Sequence, residues 1–253
     1  MENNLVILSI PIQRLIKSHL TKDMIKTIGA QRDILIVSNF ANISEFRNQF
    51  NYKNISYMKL SSEKDLSYFS KLLYSLLSTA RMNGYYCKNK KYIPFYWNQR
   101  HDCPYFVTSK RPLFKRIILD AISFIGYYRN IWAFINSILG KIIYKENNLE
   151  NLISKYKNVV LIQSCSWGYQ DSALAFIARK HKVSSIFIPY TIDQLFANGH
   201  LFLNYEKILV QGRMEYKHCE RLHNISSDKI VKFGSLYFHE LRLYLVTKLI
   251  KKL

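Results

Sequence analysis

Short apolar runs alternate with amphipathic segments at both ends of the 253-residue chain. In the first sixty residues, apolar runs at 4–10, 33–38 and 55–60 alternate with segments of helical spacing at 14–28 and 43–50. Short apolar runs separated by helices of about ten residues are typical of βαβ units on a parallel sheet. The pattern therefore predicts three strands of an open α/β sheet in this part of the chain.

The same alternation returns between residues 158 and 234. It predicts strands at the apolar runs 159–163, 185–188, 207–210 and 229–233, and helices at 170–181 and 213–224. Both ends together predict an α/β fold with a mainly parallel sheet of about seven strands. In such sheets ligands bind at the carboxyl ends of the strands, so the loops that follow the strands are the expected site.

Residues 61–150 interrupt this alternation and predict a helical insertion in the sheet domain. A long helix is predicted from Lys115 to Tyr144, with an apolar stripe at Ile117, Ala121, Phe124, Tyr128, Ile131, Ile135, Ile138 and Ile142. Trp132 and Leu139 widen the stripe, and Gly126 and Gly140 are positions at which the helix can bend or end. Lys115, Arg116, Arg129 and Lys141 lie among its less apolar positions. The sequence favours packing of the stripe on the sheet domain. The alternative is a basic amphipathic helix that lies on an anionic membrane surface.

A basic and aromatic segment follows the first helix of the insertion, from Tyr85 to Arg111. Its aromatic and cationic side chains suit stacking on bases or sugars, or contact with lipid headgroups. A packed surface loop fits the segment equally well. A last helix is predicted from His239 to Leu253, and it ends in lysines.

The charge of the chain points to an anionic partner. Lys and Arg number 37 against 17 acidic residues, which gives a net charge of +20. Nucleic acid, anionic lipid and phosphorylated substrates are the candidates, although a compositional bias toward Lys, Asn, Ile and Tyr also contributes. Nucleic acid is the least favoured of the three, because the cations are spread and no known nucleic-acid motif occurs.

The four cysteines lie far apart and form no C-x-x-C pair, which favours free thiols in a reducing cytoplasm. No run of about 20 uncharged apolar residues occurs, so no spanning helix is predicted. We therefore expect a cytoplasmic protein, with peripheral association at the inner membrane face as an option.

Candidate chemistry is confined to the loops after the strands. Asp193 is the candidate general base, with capping of a turn from Gln194 as the alternative. Arg14 and His19 follow the first strand and suit phosphate at a helix N-terminus. Cys165 and Ser166 lie at a strand end, where tight packing is favoured over a nucleophile. No metal-ligand spacing, G-x-G-x-x-G or phosphate-binding loop occurs, so we expect neither metal nor cofactor.

A family resemblance covers about eighty residues, through the run DSALAFIARKHKVSSIFIPYTIDQLFANGHLFLNYEKILVQG and then HNISSDKIVKFGS. This stretch resembles the N-terminal half of GT-B-type glycosyltransferases of bacterial surface-polysaccharide and lipopolysaccharide synthesis. The matching positions are Asp171, Ala178, Pro189, Asp193, Gly199, Gly212, Ile225, Lys229 and Gly234. The resemblance implies a Rossmann-like domain that binds the sugar acceptor. From their places in the loops, we expect Asp193 to be the catalytic residue. We expect the acceptor-binding residues to be Arg14, His19, Trp167, Asp171, Tyr190 and His200.

A GT-B enzyme has a second Rossmann-like domain, which binds most of the nucleotide sugar. Too little sequence follows Gly234 to form one, so we expect a single domain over residues 1–253 and no transfer by the isolated chain. The leading hypothesis is an acceptor-side domain that binds a sugar or lipid-linked acceptor and works with a separate donor-binding subunit. The alternative is a truncated relative that acts as a non-catalytic partner-binding or membrane-surface module.

Overall fold

The computed structural model describes residues 4–11, 22–50, 52–89, 113–166, 168–191, 194–197 and 199–234. Within these ranges, seven strands form one sheet in the order β3-β2-β1-β4-β5-β6-β7, and every neighbouring pair is parallel. The strands are β1 (Asn4–Ile10), β2 (Asp33–Ser38), β3 (Ile55–Met58), β4 (Asn158–Gln163), β5 (Ser184–Phe187), β6 (Lys207–Val210) and β7 (Ile230–Lys232). The predicted α/β fold with a Rossmann-like parallel sheet is confirmed.

Helices connect the strands, and several of them form the predicted insertion between β3 and β4. The helices are α1 (Lys22–Gly29), α2 (Ser44–Gln49), α3 (Tyr68–Asn89), α4 (Leu113–Tyr127), α5 (Arg129–Ile143), α6 (Asn147–Ile153), α7 (Tyr169–Lys180), α8 (Gln194–Ala197) and α9 (Arg213–His223). Single 3-10 turns lie at Glu63–Asp65 and Ser227–Lys229. Most of the Tyr85–Arg111 segment and the whole His239–Leu253 helix prediction lie outside the described residues.

The segment from Lys115 to Tyr144 forms two helices and not one, with the break close to Gly126, where the sequence allows a bend or an end. Tyr128 is extended, with φ −96° and ψ 101°, and it separates α4 from α5. Gly126 lies just before this break but serves a close helix crossing. A Cβ atom there would lie 1.5 Å from the carbonyl oxygen of Ala80 on α3. Only glycine lets the two backbones approach so closely.

The sheet is apolar on both faces, because alternate residues of each strand point to opposite sides. On one face Leu5, Ile7 and Leu35 pack with the insertion helices and α7. On the other face Val6 and Ile34 pack in a smaller cluster with residues of α1 and α2. Strands buried on both sides explain why the apolar runs are continuous in the sequence.

Three arginines from three helices donate hydrogen bonds to backbone carbonyl oxygens of the segment 199–206, which leads into β6. Arg81 of α3 donates to the carbonyl oxygen of His200 at 2.7 Å. Arg179 of α7 donates to that of Phe202 at 2.8 Å, and Arg129 of α5 donates to that of Leu203 at 2.7 Å. Burial lowers the pKa of Arg81 to about 10, so it remains a cation at neutral pH. The bonds of Arg81 and Arg129 tie the insertion to the sheet domain.

Only part of the predicted apolar stripe of α4 and α5 packs on the protein as the sequence favours. Ile135 and the two widening positions, Trp132 and Leu139, lie in or against the core. The stripe members Ile117, Phe124, Tyr128, Ile131, Ile138 and Ile142 are exposed. Asn136, Gly140 and Ile143 complete the buried face of α5. None of the helices in the described ranges combines the length and the apolar character needed to cross a membrane.

Candidate functional site

The strand order reverses between β1 and β4, at the centre of the sheet. From β1 the chain moves outward through β2 to β3, whereas from β4 it moves the other way through β5 to β7. The connections on either side of such a point diverge and leave a crevice at the carboxyl ends of the two strands. Here those ends are Ile10 and Gln163. This switch point is the place where the fold positions a ligand.

Asp171 lies at the switch point, in the first turn of α7. Its side chain is 1% exposed and accepts a hydrogen bond from the hydroxyl of Ser9 at 3.3 Å. The amide of Gln163 donates to the same carboxylate oxygen at 3.4 Å and to the Asp171 carbonyl oxygen at 2.9 Å. Residues near the ends of β1 and β4 therefore both bind this carboxylate. The positive end of the helix dipole also stabilises its negative charge.

Tyr205 fixes the orientation of the Gln163 amide. Its hydroxyl donates to the Gln163 side-chain oxygen at 2.6 Å, and both residues are buried. Burial, with Asp171 as the next cause, raises the pKa of Tyr205 far above its usual range. The phenol therefore stays protonated and always acts as donor. With its oxygen occupied in this way, Gln163 must direct its N–H groups toward Asp171.

A cleft of about 230 Å³ opens beside Asp171. Its lining residues are Pro11, Asn39, Ser62, Glu63, Gly168, Tyr169, Gln170 and Asp171. Gly168 has φ +90°, a left-handed conformation that glycine adopts without strain, and it precedes α7 directly. The Asn39 amide donates to the carbonyl oxygen of Pro11 at 3.0 Å, which draws the loop after β2 to the end of β1.

The described polar groups in this lining suit a hydroxyl-bearing ligand. Asp171 and Glu63 are carboxylates, and Asn39, Ser62 and Gln170 offer amide and hydroxyl groups. Carboxylates accept hydrogen bonds from hydroxyl groups, and amides both donate and accept them.

Tyr190 lies at the same edge of the sheet, in the loop that follows β5. Its backbone N–H donates to the carbonyl oxygen of Ser164 at 3.2 Å, and the side-chain oxygen of Gln194 is 3.4 Å from the same nitrogen. This loop therefore packs across the end of β4 and leads toward Asp193. Asp193 itself, Arg14, His19 and Trp167 lie outside the described residues, so their assignments remain predictions.

His200 lies away from the switch-point cleft, between the insertion and α9. It is 1% exposed, and its Nε2 donates to the carbonyl oxygen of Gly126 at 2.9 Å. The ring of Tyr85 contacts both His200 and His223, with centroid distances of 5.2 Å and 5.3 Å. Burial, reinforced by the other histidine, lowers the pKa of His200 to about 3. The structure thus brings Asp171 and Tyr190 to one edge of the sheet and places His200 elsewhere.

Cys165 and Ser166 follow β4 and are both fully buried. The Gln194 amide lies 3.5 Å from the Cys165 sulfur, which packs in the smaller apolar cluster. This position agrees with tight packing at the strand end, and neither residue is among those that line the switch-point cleft. In the described part of the chain, no three His, Cys, Asp or Glu residues are arranged to bind a metal ion.

The sequence interpretation missed Ser9, Gln163 and Tyr205. Ser9 and Gln163 had a visible signal, because each is a polar residue in an otherwise apolar strand that is buried on both faces. A buried polar side chain in such a strand needs a hydrogen-bond partner. Tyr205 had no comparable signal, since it lies in a loop 42 residues after Gln163.

Comparison with protein-family models, curated proteins and solved structures finds no match for this chain.

Proposed function

We propose that this chain is the acceptor-binding domain of a GT-B-type glycosyltransferase of cell-envelope polysaccharide synthesis, and that Asp171 binds an acceptor hydroxyl. The observation that carries the proposal is the buried Asp171 carboxylate at the switch point, bound by Ser9 and Gln163 beside an open cleft. Parallel sheets of this type bind ligands at that point. The resemblance of residues 171–234 to such transferases supplies the reaction class.

The lining of the cleft supports a sugar as the ligand. A carboxylate accepts a hydrogen bond from a hydroxyl, and a charged acceptor makes that bond about twice as strong as a neutral one. Asn39, Ser62 and Gln170 supply further donors and acceptors of the kind that orient a sugar ring. The small volume of the cleft suits part of a saccharide, with the remainder extending into solvent.

In this proposal Asp193 acts as the general base and Asp171 positions the acceptor. A general base must lie within hydrogen-bond reach of the hydroxyl that it deprotonates. The loop that leads to Asp193 packs on the carbonyl of Ser164 at the end of β4, which supports its assignment to the same edge. The donor sugar would be bound by the second Rossmann-like unit that the resemblance implies.

The test is a titration of the isotopically labelled chain with uncharged hexoses and N-acetylhexosamines. The chemical shifts of the backbone amides, measured by NMR during the titration, report binding. We expect the amides of Ser9, Gly168 and Gln170 to shift. The Asp171→Asn variant should weaken binding by about ten-fold or more, because a neutral amide is a poorer acceptor than a carboxylate. Asp228→Asn, on the 3-10 turn after α9, is the matched control and should bind as the parent does.

Two results would overturn the proposal. One is the absence of shifts at the switch point with every sugar. The other is equal affinity of the Asp171→Asn variant and the parent, provided that both give the same dispersed spectrum of a folded protein.

A further inference from the structure

Helices α4 and α5 expose an apolar stripe on the outside of the insertion. We define the exposed stripe by its members Ile117, Phe124, Tyr127, Tyr128, Ile131, Phe134, Ile138 and Ile142. Phe134 and Phe124 are 66% and 62% exposed, which is a large fraction for such apolar side chains. Scattered exposed apolar residues are normal in a folded protein, whereas a continuous row of them marks an interaction surface.

The exposed apolar residues of α5 all lie on one side of this helix. At roughly 100° per residue, Ile131, Phe134, Ile138 and Ile142 lie within about 80° of arc around the helix axis. The side chains that pack on the protein, such as Trp132 and Ile143, lie nearly opposite. Trp132 donates its indole N–H to the carbonyl oxygen of Leu77, which fixes the rotation of the helix. The apolar face that points outward is therefore set by the packing of the other face.

The aromatic members of the exposed stripe meet where α4 and α5 join. Tyr128 contacts Phe124 and Tyr127 edge to face, with ring centroids 5.5 Å and 5.1 Å apart. Aromatic and amphipathic rings concentrate at the headgroup level of membranes, where one end is apolar and the other is hydrated. A cluster of this kind on an exposed helix pair fits a lipid interface.

The charge of the insertion is complementary to an anionic surface. Between residues 68 and 143 the only acidic residues are Asp102 and Asp120. The same span carries twelve lysines and arginines. Arg81 and Arg129 bind backbone carbonyl oxygens, and the described cations that are exposed are Lys71, Lys88 and Lys141. Lys141 is exposed and projects close to the edge of the apolar arc, where its ammonium group can reach lipid phosphates.

We propose that the exposed stripe of α4 and α5 is the surface by which this protein lies on an anionic phospholipid membrane. Ile131, Phe134 and Ile138 enter the boundary between headgroups and acyl chains, while the exposed Lys141 beside them contacts the lipid phosphates. An amphipathic helix with apolar and aromatic residues on one face and cations beside them binds membranes in this in-plane manner. The proposal does not depend on sugar binding at Asp171.

The test compares co-sedimentation with vesicles of phosphatidylcholine alone and of phosphatidylcholine mixed with phosphatidylglycerol. We expect the parent chain to bind the mixed vesicles at least about ten-fold more tightly than the neutral ones, and to release from them in high salt. The triple variant Ile131→Ser, Phe134→Ser, Ile138→Ser should bind the mixed vesicles at least about ten-fold more weakly, because it removes the inserted apolar groups.

A matched control removes exposed apolar residues elsewhere in the protein. The triple variant Ile43→Ser, Met214→Ser, Phe233→Ser changes side chains that are also exposed but lie far from the insertion in the chain. It should bind vesicles as the parent does. Both variants alter exposed side chains, so the thermal unfolding of each should stay close to that of the parent.

Three outcomes would overturn the proposal. The first is equal binding of the parent and the stripe variant to mixed vesicles. The second is equal binding of the parent to both lipid types. The third is self-association of the parent that the stripe variant abolishes while its vesicle binding persists, since the stripe would then be an interface between copies of this chain.

Discussion

The guanidinium of Arg81 donates to the carbonyl oxygen of His200, 119 residues further along the chain. Arg81 also lies over the ring of Phe202, with its central carbon 4.2 Å from the ring centroid. It is 3% exposed, so a cation in the protein interior contacts both a backbone oxygen and an aromatic face. This one side chain links the insertion to the segment that leads into β6.

Replacement of Arg81 with methionine should lower the free energy of unfolding by about 2–4 kcal/mol, because the His200 carbonyl loses its buried donor. Urea unfolding followed by circular dichroism measures this change. Arg221→Met is the control, since Arg221 is exposed on α9 and should tolerate the change. A stability of Arg81→Met equal to that of the control would contradict this role for Arg81.

The free energy of unfolding should fall as the pH decreases from about 6.5, because His200 and His223 are buried in their uncharged form. Burial lowers the pKa of each to about 3, whereas an unfolded histidine titrates near 6.5. Between these values the unfolded chain binds protons that the folded protein does not. Each histidine therefore lowers the free energy of unfolding by up to roughly 1.4 kcal/mol for each pH unit of acidification. Their full contribution is present above pH 6.5.

Urea unfolding at a series of pH values measures this dependence. The double variant His200→Gln, His223→Gln should show a shallower slope than the parent between pH 6.5 and about 4.5, and each single variant should be intermediate. An unchanged slope in the double variant would show that these histidines do not cause the dependence.

Gly126→Ala should destabilise the protein by about 3 kcal/mol or more, at the upper end of overpacking effects. The added Cβ would lie 1.5 Å from the carbonyl oxygen of Ala80, so α3 and α4 must move apart. Gly212→Ala is the matched control, because no heavy atom lies within 4 Å of the Cβ that it would add. Thermal unfolding compares the two, and equal midpoints would rule out the close helix crossing.

Lys141→Gln should reduce vesicle binding without reducing stability, whereas Arg129→Gln should reduce stability. Lys141 is exposed, so its replacement should weaken binding to anionic vesicles and leave stability within about 0.5 kcal/mol of the parent. Arg129 donates to the carbonyl oxygen of Leu203, so its replacement should lower the free energy of unfolding by about 1–3 kcal/mol. Vesicle co-sedimentation and urea unfolding of both variants test this difference. Equal loss of stability would contradict it.

The strands could be predicted because each is a continuous apolar run, and β6 has the predicted bounds, Lys207–Val210. The break at Tyr128 lies two residues after Gly126, where the sequence allows the helix to bend or end. The apolar spacing alone does not reveal it, since helical spacing continues through a single extended residue. Apolar periodicity also does not say which of two apolar faces is buried. That choice depends on Trp132 and Gly140, which fit against α3 and α7 respectively.

The candidate site was partly predictable for a similar reason. Asp171 could be identified as a helix N-terminal residue after a strand, which local sequence reveals. Its partner Ser9 is 162 residues away, so no local pattern connects the two. Arg129 was assigned to a polar position of one helix, but its acceptor Leu203 is 74 residues later. The order of the strands in the sheet determines which residues meet at such separations, and local sequence does not show that order.

The central position of β1 has a consequence for the growing polypeptide during translation. Asn4 at the start of β1 bonds to Asn158 at the start of β4, 154 residues later. Until β4 leaves the ribosome, one edge of β1 and its apolar side chains lack their native neighbour. Unpaired apolar edges promote wrong association in nascent chains. The helices between β3 and β4 therefore emerge during the period in which β1 most needs to be shielded.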